Sequence, residues 1–323
     1  MSILITCCLG DHIKDNVKAL KTAYPGERIV GIDVRKMYFN HNEIDAFYQV
    51  CKCTDGRYVN QVLGVCEKED VDLIISFSSL DIFPFKIEKE KFDKKGIKIA
   101  LGLKDTNLTL TANDKFQFCK YAKEKGIKIA KTGDRLVYSK DDIKEFMEHE
   151  SVDKVVTKQV DSTGAKGMDV LSKEDLCVDF RYRTGAIVQE FLTGDEYSVD
   201  CFCKDGEVLF SCVKKNYEMD LGVSIYSEMV NRPDIDEMCA KACKELRLDG
   251  LVGFDLKEDE NGEVYILECN PRPTATISLV RYAGVNLLKH LVEYYKTGNT
   301  SFEGAFYRFG AKIVRYREDY FKD

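Results

Sequence analysis

The chain has 323 residues, of which 44% are hydrophobic and 32% are charged, and its formal net charge is -7 at pH 7. This length predicts two or three packed subdomains, and the acidic balance without a long basic run argues against a nucleic-acid partner. No apolar stretch reaches the roughly 20 residues of a membrane span, so we expect a cytoplasmic protein with no membrane partner. The 13 cysteines follow no metal-binding spacing, and we expect them to be reduced, small apolar residues.

The first third of the chain alternates strand and helix patterns. Predicted strands cover Ile3–Cys8, Arg28–Val34, Val71–Phe77 and Ile97–Leu101, and predicted helices cover Lys14–Tyr24 and Arg57–Glu67. This order predicts a doubly wound parallel sheet. Ligands bind beyond the carboxyl ends of such strands, so the loops at Gly10-Asp11, Asp33–Lys36 and Ser76–Asp81 are candidate substrate walls.

The remainder mixes helices with strands and hairpins. Predicted helices cover Asn113–Lys125, Asp141–His149, Pro233–Leu246 and Leu279–Gly298. Predicted strands cover Ile127–Lys131, Val155–Gln159, Ile187–Leu192, Tyr197–Cys203, Glu207–Val213, Leu251–Lys257, Glu263–Asn270 and Ala311–Tyr316. Asp205-Gly206 predicts a hairpin turn, and the glycine-bearing stretch Asp161–Met168 predicts a loop.

One predicted hairpin brings two carboxylates together. Asn261-Gly262 is typical of a two-residue type I′ turn, which would place Glu260 opposite Glu263 and Asp255 opposite Glu268. Two carboxylates on adjacent strands repel each other unless a cation lies between them. A longer turn would change the pairing, so this interpretation depends on the turn type.

The end of the same hairpin adds further polar groups. Asn270 follows Glu268 on the same face of the predicted strand. Two carboxylates and an amide oxygen suit Mg²⁺, which takes few protein ligands. Arg272 stands between two prolines that limit its direction, and its planar guanidinium suits a phosphate or carboxylate.

Two other segments suit a nucleotide. Lys158 precedes the glycine loop at Gly164-Ala-Lys-Gly167, where backbone N–H groups can approach a phosphate, although the spacing is not that of a Walker A motif. Considered alone, Lys158 is more typical of a lysine at the edge of a sheet whose charge is already compensated. The apolar strand Val188–Leu192 could form a purine wall, and Glu196 could accept the ribose hydroxyls.

Taken in order, these segments resemble the ATP-grasp superfamily, and most closely its carbamoyl-phosphate-synthetase-like branch of carboxylate–amine ligases. The segments that carry the resemblance are Asn113–Lys115, Val155–Lys158 with Gly164–Gly167, Val188–Val199 and Leu267–Pro273. The resemblance implies an N-terminal doubly wound parallel-sheet domain at residues 1–112 and a two-lobed ATP-grasp domain at 113–300. Its lid subdomain would cover about 131–190, and residues 301–323 would form a tail packed on the core.

The resemblance also implies roles for single residues. Lys115 and Lys158 would hold the ATP phosphates beneath a lid loop that contains Gly164, Lys166 and Gly167. Gln189, Glu190 and Leu192 would meet the adenine edge, and Glu196 the ribose. Glu268 and Asn270, with Asp255 beside them, would ligate Mg²⁺, or Mn²⁺ as an alternative. Arg272 would stabilise an acyl phosphate, and Lys214 or Lys215 would face the transferred phosphate. The family often has Glu where this chain has Gln189.

The implied activity is that of an ATP-dependent ligase that joins a small carboxylate to an amine. Two alternatives stay open: a carboxyphosphate-forming or phosphoryl-transfer enzyme of the same fold, and a degenerate nucleotide-binding module. The length accommodates one ATP-grasp unit, whereas the large subunit of carbamoyl-phosphate synthetase has two, so we do not expect that enzyme. A homodimer is a further alternative that the sequence leaves open.

Overall fold

Three β-sheets organise the chain in a computed structural model, which describes residues 2–40, 42–102, 105–160, 167–177, 184–220 and 223–316. The first sheet contains β1 Ser2–Ile5, β2 Arg28–Asp33, β3 Ala46–Gln49, β4 Val71–Ile75 and β5 Lys98–Ala100. All its neighbouring strands are parallel, in the order β3-β2-β1-β4-β5. This confirms the predicted N-terminal parallel sheet, although the sequence analysis missed β3.

Four helices accompany this sheet: α1 Ile13–Ala23, α2 Tyr58–Lys68, α3 Ser79–Ile87 and α4 Lys89–Asp93. The strand order reverses between β1 and β4, which is where parallel sheets of this type open a ligand crevice. The predicted substrate wall Ser76–Asp81 follows β4 and includes the start of α3. The nine-residue helix α3 contains Pro84 and was not predicted from the sequence.

A small antiparallel sheet follows, preceded by α5 Thr106–Asn113, α6 Lys115–Glu124 and α7 Lys140–Glu150. Its strands are β6 Lys154–Gln159, β7 Met168–Ser172 and β8 Ala186–Glu190, in the order β7-β6-β8. The predicted strand Ile127–Lys131 is wrong. That segment forms one isolated bridge, between Ile129 and Ile266, because it passes from the edge of one sheet to the next.

The third sheet has six antiparallel strands in the order β13-β12-β9-β10-β11-β14. Their bounds are β9 Glu196–Lys204, β10 Glu207–Asp220, β11 Val223–Val230, β12 Gly250–Glu258, β13 Val264–Asn270 and β14 Lys312–Val314. Three helices accompany it: α8 Pro233–Leu246, α9 Ile277–Ala283 and α10 Leu287–Thr297. The predicted helix Leu279–Gly298 is two helices, because Gly284 breaks it with a φ of +133°.

The two faces of this sheet differ in chemistry. Along β9, Tyr197 and Val199 face an apolar core that includes residues of α6 and α8. Glu196, Ser198 and Asp200 alternate with them, so they point to the opposite face. That second face is polar at one end of the sheet and becomes apolar at the other, where it packs against the N-terminal sheet.

The hairpin that β12 and β13 form has the predicted pairing of Asp255 with Glu268, but its turn differs from the predicted one. Asp255 lies opposite Glu268, but Glu258 lies opposite Val264, so the ladder shifts by one residue between Asp255 and Leu256. The Asp259 N–H donates to the Glu263 carbonyl at 2.9 Å, which leaves a three-residue loop and corrects the predicted pairing of Glu260 with Glu263.

A side chain and a bulge explain this outcome. The Asp259 carboxylate accepts the N–H groups of Asn261 and Glu263, both at 2.9 Å, and only Gly262 in the loop has a positive φ. The extra loop residue alone would place Asp255 opposite Leu267 instead of Glu268. Leu267 is an additional, unpaired residue in β13, and this β-bulge restores the pairing of Asp255 with Glu268. By contrast, Asp205 and Gly206 both have positive φ and form the predicted two-residue turn.

All 13 cysteines lie among the described residues as free thiols, and nine of them are buried. This agrees with their interpretation as small apolar residues. Among the described residues, no helix has both the length and the apolar character that crossing a membrane requires.

Candidate active site

A cleft opens where the polar face of the six-stranded sheet meets the N-terminal sheet. Seven of the residues singled out from the sequence line it: Lys115, Lys158, Glu196, Asp255, Glu268, Asn270 and Arg272. They come from α6, β6, β9, β12 and β13 and from the segment that follows β13. Residues that are up to 157 positions apart in the sequence therefore share one surface.

The two carboxylates of the hairpin converge on one amide. Asn270 Nδ2 donates to Asp255 Oδ2 at 3.0 Å and to Glu268 Oε1 at 3.2 Å. Burial and the charge of Glu268 raise the pKa of the Asp255 carboxyl. Burial also opposes ionisation of Glu268, but Lys115 and Lys158 outweigh it and lower the pKa of that carboxyl. The pair therefore has one firmly ionised member and one whose ionisation needs a further cation.

The donor set fits a magnesium ion in number and type. No group of three or more His, Cys, Asp or Glu suited to a metal occurs among the described residues, but Mg²⁺ usually uses only one or two carboxylates. Asp255 and Glu268 supply two on adjacent strands. Asn270 directs its nitrogen to them and its oxygen to Ser79, so it would serve as a ligand only after its amide turns over.

Two lysines supply the positive charge of the cleft. Lys115 begins α6, and its Nζ lies 3.5 Å from Glu268 Oε2. Lys158 lines the same cleft on β6; burial lowers the pKa of its ammonium, and Glu268 opposes that shift. Both ammonium groups face the carboxylate pair, an arrangement that can receive a polyphosphate together with a divalent cation.

Arg272 joins the hairpin to the N-terminal sheet. Its Nε donates to Ser79 Oγ at 2.8 Å, and its two terminal nitrogens donate to Asn270 Oδ1 at 3.1 Å and to the Pro273 carbonyl at 3.0 Å. Ser79 Oγ also donates to Asn270 Oδ1 at 3.1 Å. These bonds fix the plane of the guanidinium at the cleft wall.

The segment after Arg272 lies directly on β12. The Thr274 N–H donates to Asp200 Oδ1 at 3.1 Å, and its hydroxyl donates to Asp200 Oδ2 at 2.9 Å. Gly253 makes this approach feasible, because a Cβ there would overlap the Cγ2 atom of Thr274. The absence of a side chain at Gly253 therefore sets the position of one wall of the cleft.

Replacing Gly253 with alanine should displace this wall. We expect a loss of about 1–3 kcal/mol in the free energy of unfolding, because the backbone has to shift to relieve the overlap. Urea denaturation would measure it. Gly64→Ala is the matched control: its Cβ would meet nothing within 4 Å, and its helical position in α2 predicts no loss. Equal stability of the two variants would contradict the packing argument.

Lys214 is not among the residues that line the cleft, and its role facing the transferred phosphate stays a prediction. Its side chain is fully buried and forms an ion pair with Asp200, and its Nζ also donates to Thr274 Oγ1 at 2.9 Å. Lys214 is therefore behind the cleft wall, where it neutralises Asp200 and supports Thr274. Lys215, the alternative, pairs with Asp195 and does not line the cleft.

Of the residues predicted to contact the nucleoside, some line the cleft and others do not. Glu196 lines the cleft, and its carboxylate accepts from Lys257 Nζ at 2.6 Å. Gln189 is buried, and its Nε2 donates to Thr132 Oγ1 at 2.9 Å, whereas its Oε1 has no hydrogen-bond partner. Glu190 accepts the Lys131 N–H at 2.8 Å, and Leu192 is buried.

Part of the predicted lid lies outside the described residues. Gly164 and Lys166 belong to that part. Gly167 has a φ of +78°, and its carbonyl accepts the Gln159 N–H at 3.1 Å. Met168, the first residue of β7, lines the cleft.

Sequence reasoning missed several cleft residues. Ser79 was named only within a loop, and Ser198, Thr274 and Thr276 were not named as site residues, although all four line the cleft. The alternation of polar and apolar residues along β9 was a usable signal for Ser198. No signal in the sequence pointed to Ser79, whose partners Asn270 and Arg272 are more than 190 residues away.

The fold is that of the ATP-grasp ligases. The 2-oxoglutarate carboxylase biotin carboxylase domain from Hydrogenobacter thermophilus, solved as a dimer with MgADP and bicarbonate, matches with a TM-score of 0.71 at 15% identity, covering 96% of this chain and 73% of that one. The N5-carboxyaminoimidazole synthetase from Staphylococcus aureus has a TM-score of 0.70 at 17% identity, over 90% and 76%. The L-amino acid ligase from Bacillus licheniformis has a TM-score of 0.66 at 13% identity, over 91% and 73%.

Family comparisons agree with the fold. Residues 183–311 match the family described as "ATP-grasp in the biosynthetic pathway with Ter operon", and residues 3–100 match the PylC-like N-terminal domain. Residues 183–311 therefore match an ATP-grasp family in sequence, and the chain has the fold of ATP-grasp proteins. A sequence search among curated proteins finds no match.

Proposed function

We propose that this protein is an ATP-dependent ligase that activates a carboxylate as an acyl phosphate and transfers the acyl group to an amine, with release of ADP and phosphate. One observation carries the proposal: Lys115, Lys158, Asp255, Glu268 and Arg272 line a single cleft. The solved relatives include ligases and synthetases of the same fold, which supports a carboxylate–amine ligase type of activity.

The charges explain how this cleft could promote the reaction. A substrate carboxylate oxygen attacks the γ-phosphorus while the bond from that phosphorus to the ADP oxygen breaks. Both partners are anions, and Lys115 and Lys158 lie where they can offset the repulsion. The amine then attacks the acyl carbon, loses a proton, and phosphate departs with the electrons of the carbon–oxygen bond.

Asp255 and Glu268 would hold Mg²⁺, with Asn270 as a third ligand after its amide turns over; Mn²⁺ is an alternative. When bound, the ion would screen the negative charge of the polyphosphate. Arg272 would contact the acyl phosphate, since its guanidinium is already oriented by Ser79 and Asn270. Glu196 would bind the ribose, and Gln189, Glu190 and Leu192 would meet the adenine edge. Gly164, Lys166 and Gly167 would cover the phosphates.

ADP release tests the proposal. The purified chain should release ADP from MgATP only when a suitable carboxylate and an amine are both present, across a panel of amino acids and small carboxylates. Product masses would identify the new amide. ATP binding without turnover on any pair would instead support a degenerate binding module. A phosphorylated product without an amine, or strict dependence on bicarbonate, would support the alternative reactions.

Arg272→Lys tests the role of the guanidinium. Lysine keeps the charge but cannot bond Ser79, Asn270 and Pro273 together, so we expect kcat for ADP release to fall about 100-fold. Steady-state kinetics would measure it. Arg308→Lys is a matched control on the surface, and its kcat should be unchanged. A variant Arg272→Lys with wild-type kcat would remove Arg272 from the proposed mechanism.

The proposal includes a cytoplasmic location, which is supported by the 13 free thiols, since such thiols persist in reducing compartments. A homodimer stays a prediction. Sedimentation of the purified chain would measure its mass in solution.

A further inference from the structure

A second pocket lies between the N-terminal sheet and the six-stranded sheet. Four lysines line it: Lys86 from α3, Lys89 from α4, Lys98 from β5 and Lys204 from the end of β9. It shares no lining residue with the cleft, and Lys204 and the cleft residue Glu196 are at opposite ends of β9. The pocket is therefore a separate place on the molecule.

We propose that this pocket binds a small organic or inorganic anion with two or more negative charges, of the phosphate or polycarboxylate type. Four lysines line the pocket against one carboxylate among its described lining residues, that of Asp249, in a chain whose net charge is -7. Positive charge focused in a concave surface raises the local concentration of anions.

Asp249, the one carboxylate among the described lining residues of the pocket, is already engaged by hydrogen-bond donors. The Tyr294 hydroxyl lies 2.8 Å and 2.9 Å from the two oxygens of Asp249, and the Asp205 N–H donates to one of them at 3.2 Å. These contacts hold Asp249 against the wall. The described lining residues therefore carry more positive than negative charge.

Lys86 is the feature that distinguishes this pocket from a patch of surface lysines. Its side chain is only 3% exposed, and the apolar residues Ile99 and Leu101 line the same pocket. Burial is the main cause that lowers the pKa of Lys86 to about 8, and the charge of Lys89 adds to it. The carboxylates of Asp105 and Asp249 oppose this shift. An anion in the pocket would add an opposite charge and favour the ammonium form.

The other three lysines differ in their hydrogen-bond and ion-pair partners. Lys98 Nζ donates to the Tyr295 carbonyl at 2.6 Å, and Lys89 pairs with Asp93 at 2.5 Å. Lys204 is exposed and has no ion pair with any residue that the structure describes. We expect Lys204, because it has no such ion pair, and Lys86, because it is buried in the pocket wall, to contribute most to binding.

Calorimetric titration of the full-length chain tests the site. Inorganic pyrophosphate and citrate are the two probes, used without divalent cations and at 150 mM salt, which screens attraction to exposed charges. We expect one anion per chain at this site. The double variant Lys86→Met/Lys204→Met should weaken binding about 100-fold, since it removes two charge-assisted hydrogen bonds that are each worth about a factor of ten. Response to pyrophosphate or to citrate assigns the ligand to the phosphate or the carboxylate class.

Two further variants separate this pocket from the cleft. Lys115→Met/Lys158→Met should leave this binding event in place, and the surface pair Lys120→Met/Lys244→Met should leave it unchanged. Lys204→Met alone, at an exposed strand end, should weaken binding without affecting folding, which thermal unfolding would verify. Binding of neither probe to the wild type, or loss of binding only in Lys115→Met/Lys158→Met, would overturn the proposal.

Discussion

Replacing Glu268 with glutamine should lower magnesium-dependent ADP release about 1,000-fold, at the upper end of what loss of one electrostatic group costs. Glu268 is the firmly ionised member of the carboxylate pair, and its charge is the one that Lys115 and Lys158 face. Glutamine keeps the shape and loses the charge. Titration of activity with Mg²⁺ would show whether the apparent metal affinity falls as well.

Glu263→Gln is the matched control for this experiment. Glu263 directly precedes β13, but it is largely exposed, pairs with Lys128 and is not among the residues that line the cleft. We expect wild-type activity from it, because exposed ion pairs contribute little. A Glu268→Gln variant that keeps at least half of the activity at the same Mg²⁺ concentration would show that the metal assignment is wrong.

Removal of the Lys214 ammonium should destabilise the fold more than any other single change considered for this chain. Lys214→Met leaves Asp200 as a buried charge without its cation, and breaking such a pair costs about 3–5 kcal/mol. Denaturant unfolding would measure the loss. The same change would loosen Thr274, which depends on Asp200 for two hydrogen bonds.

Lys215→Met, at the next position of β10, is the control and should cost less than about 1 kcal/mol, since its pair with Asp195 is partly exposed. The double variant Asp200→Leu/Lys214→Met should recover part of the lost stability, because it removes both charges. If Lys214→Met left stability unchanged but reduced kcat strongly, the expectation that Lys214 faces the transferred phosphate would be right instead.

The sequence predicted those features that depend on local periodicity. Parallel strands read as continuous apolar runs, and residues two apart in a strand share a face, so the sheet domains and the shared surface of Asp255, Glu268 and Asn270 followed directly. The pairing of Asp255 with Glu268 was predicted correctly although the turn was not. The Asp259 side chain accepts a hydrogen bond from the loop and stabilises a three-residue loop in place of the predicted two-residue turn. The bulge at Leu267 compensates for the additional loop residue.

Features that depend on distant partners could not be predicted in the same way. The buried pair of Lys214 and Asp200 requires the register of two strands, and neither residue differs locally from a surface charge. The contact of Ser79 with Arg272 depends on how the N-terminal sheet packs against the hairpin, which no short pattern encodes. α3 was missed because Pro84 disfavours a helix interior, and its burial of Ile82 and Phe85 overrides that preference.

The two-faced character of β9 has a consequence for directed evolution. Substitutions at Val199 would act on the hydrophobic core, whereas those at Ser198 would act on the cleft and those at Asp200 on the buried ion pair that supports its wall. A mutant library that varies only Glu196 and Ser198 would therefore sample new specificities and leave both the core residue Val199 and the ion pair of Asp200 unchanged. Selection for robustness and selection for new chemistry can thus proceed on interleaved positions of one short peptide segment.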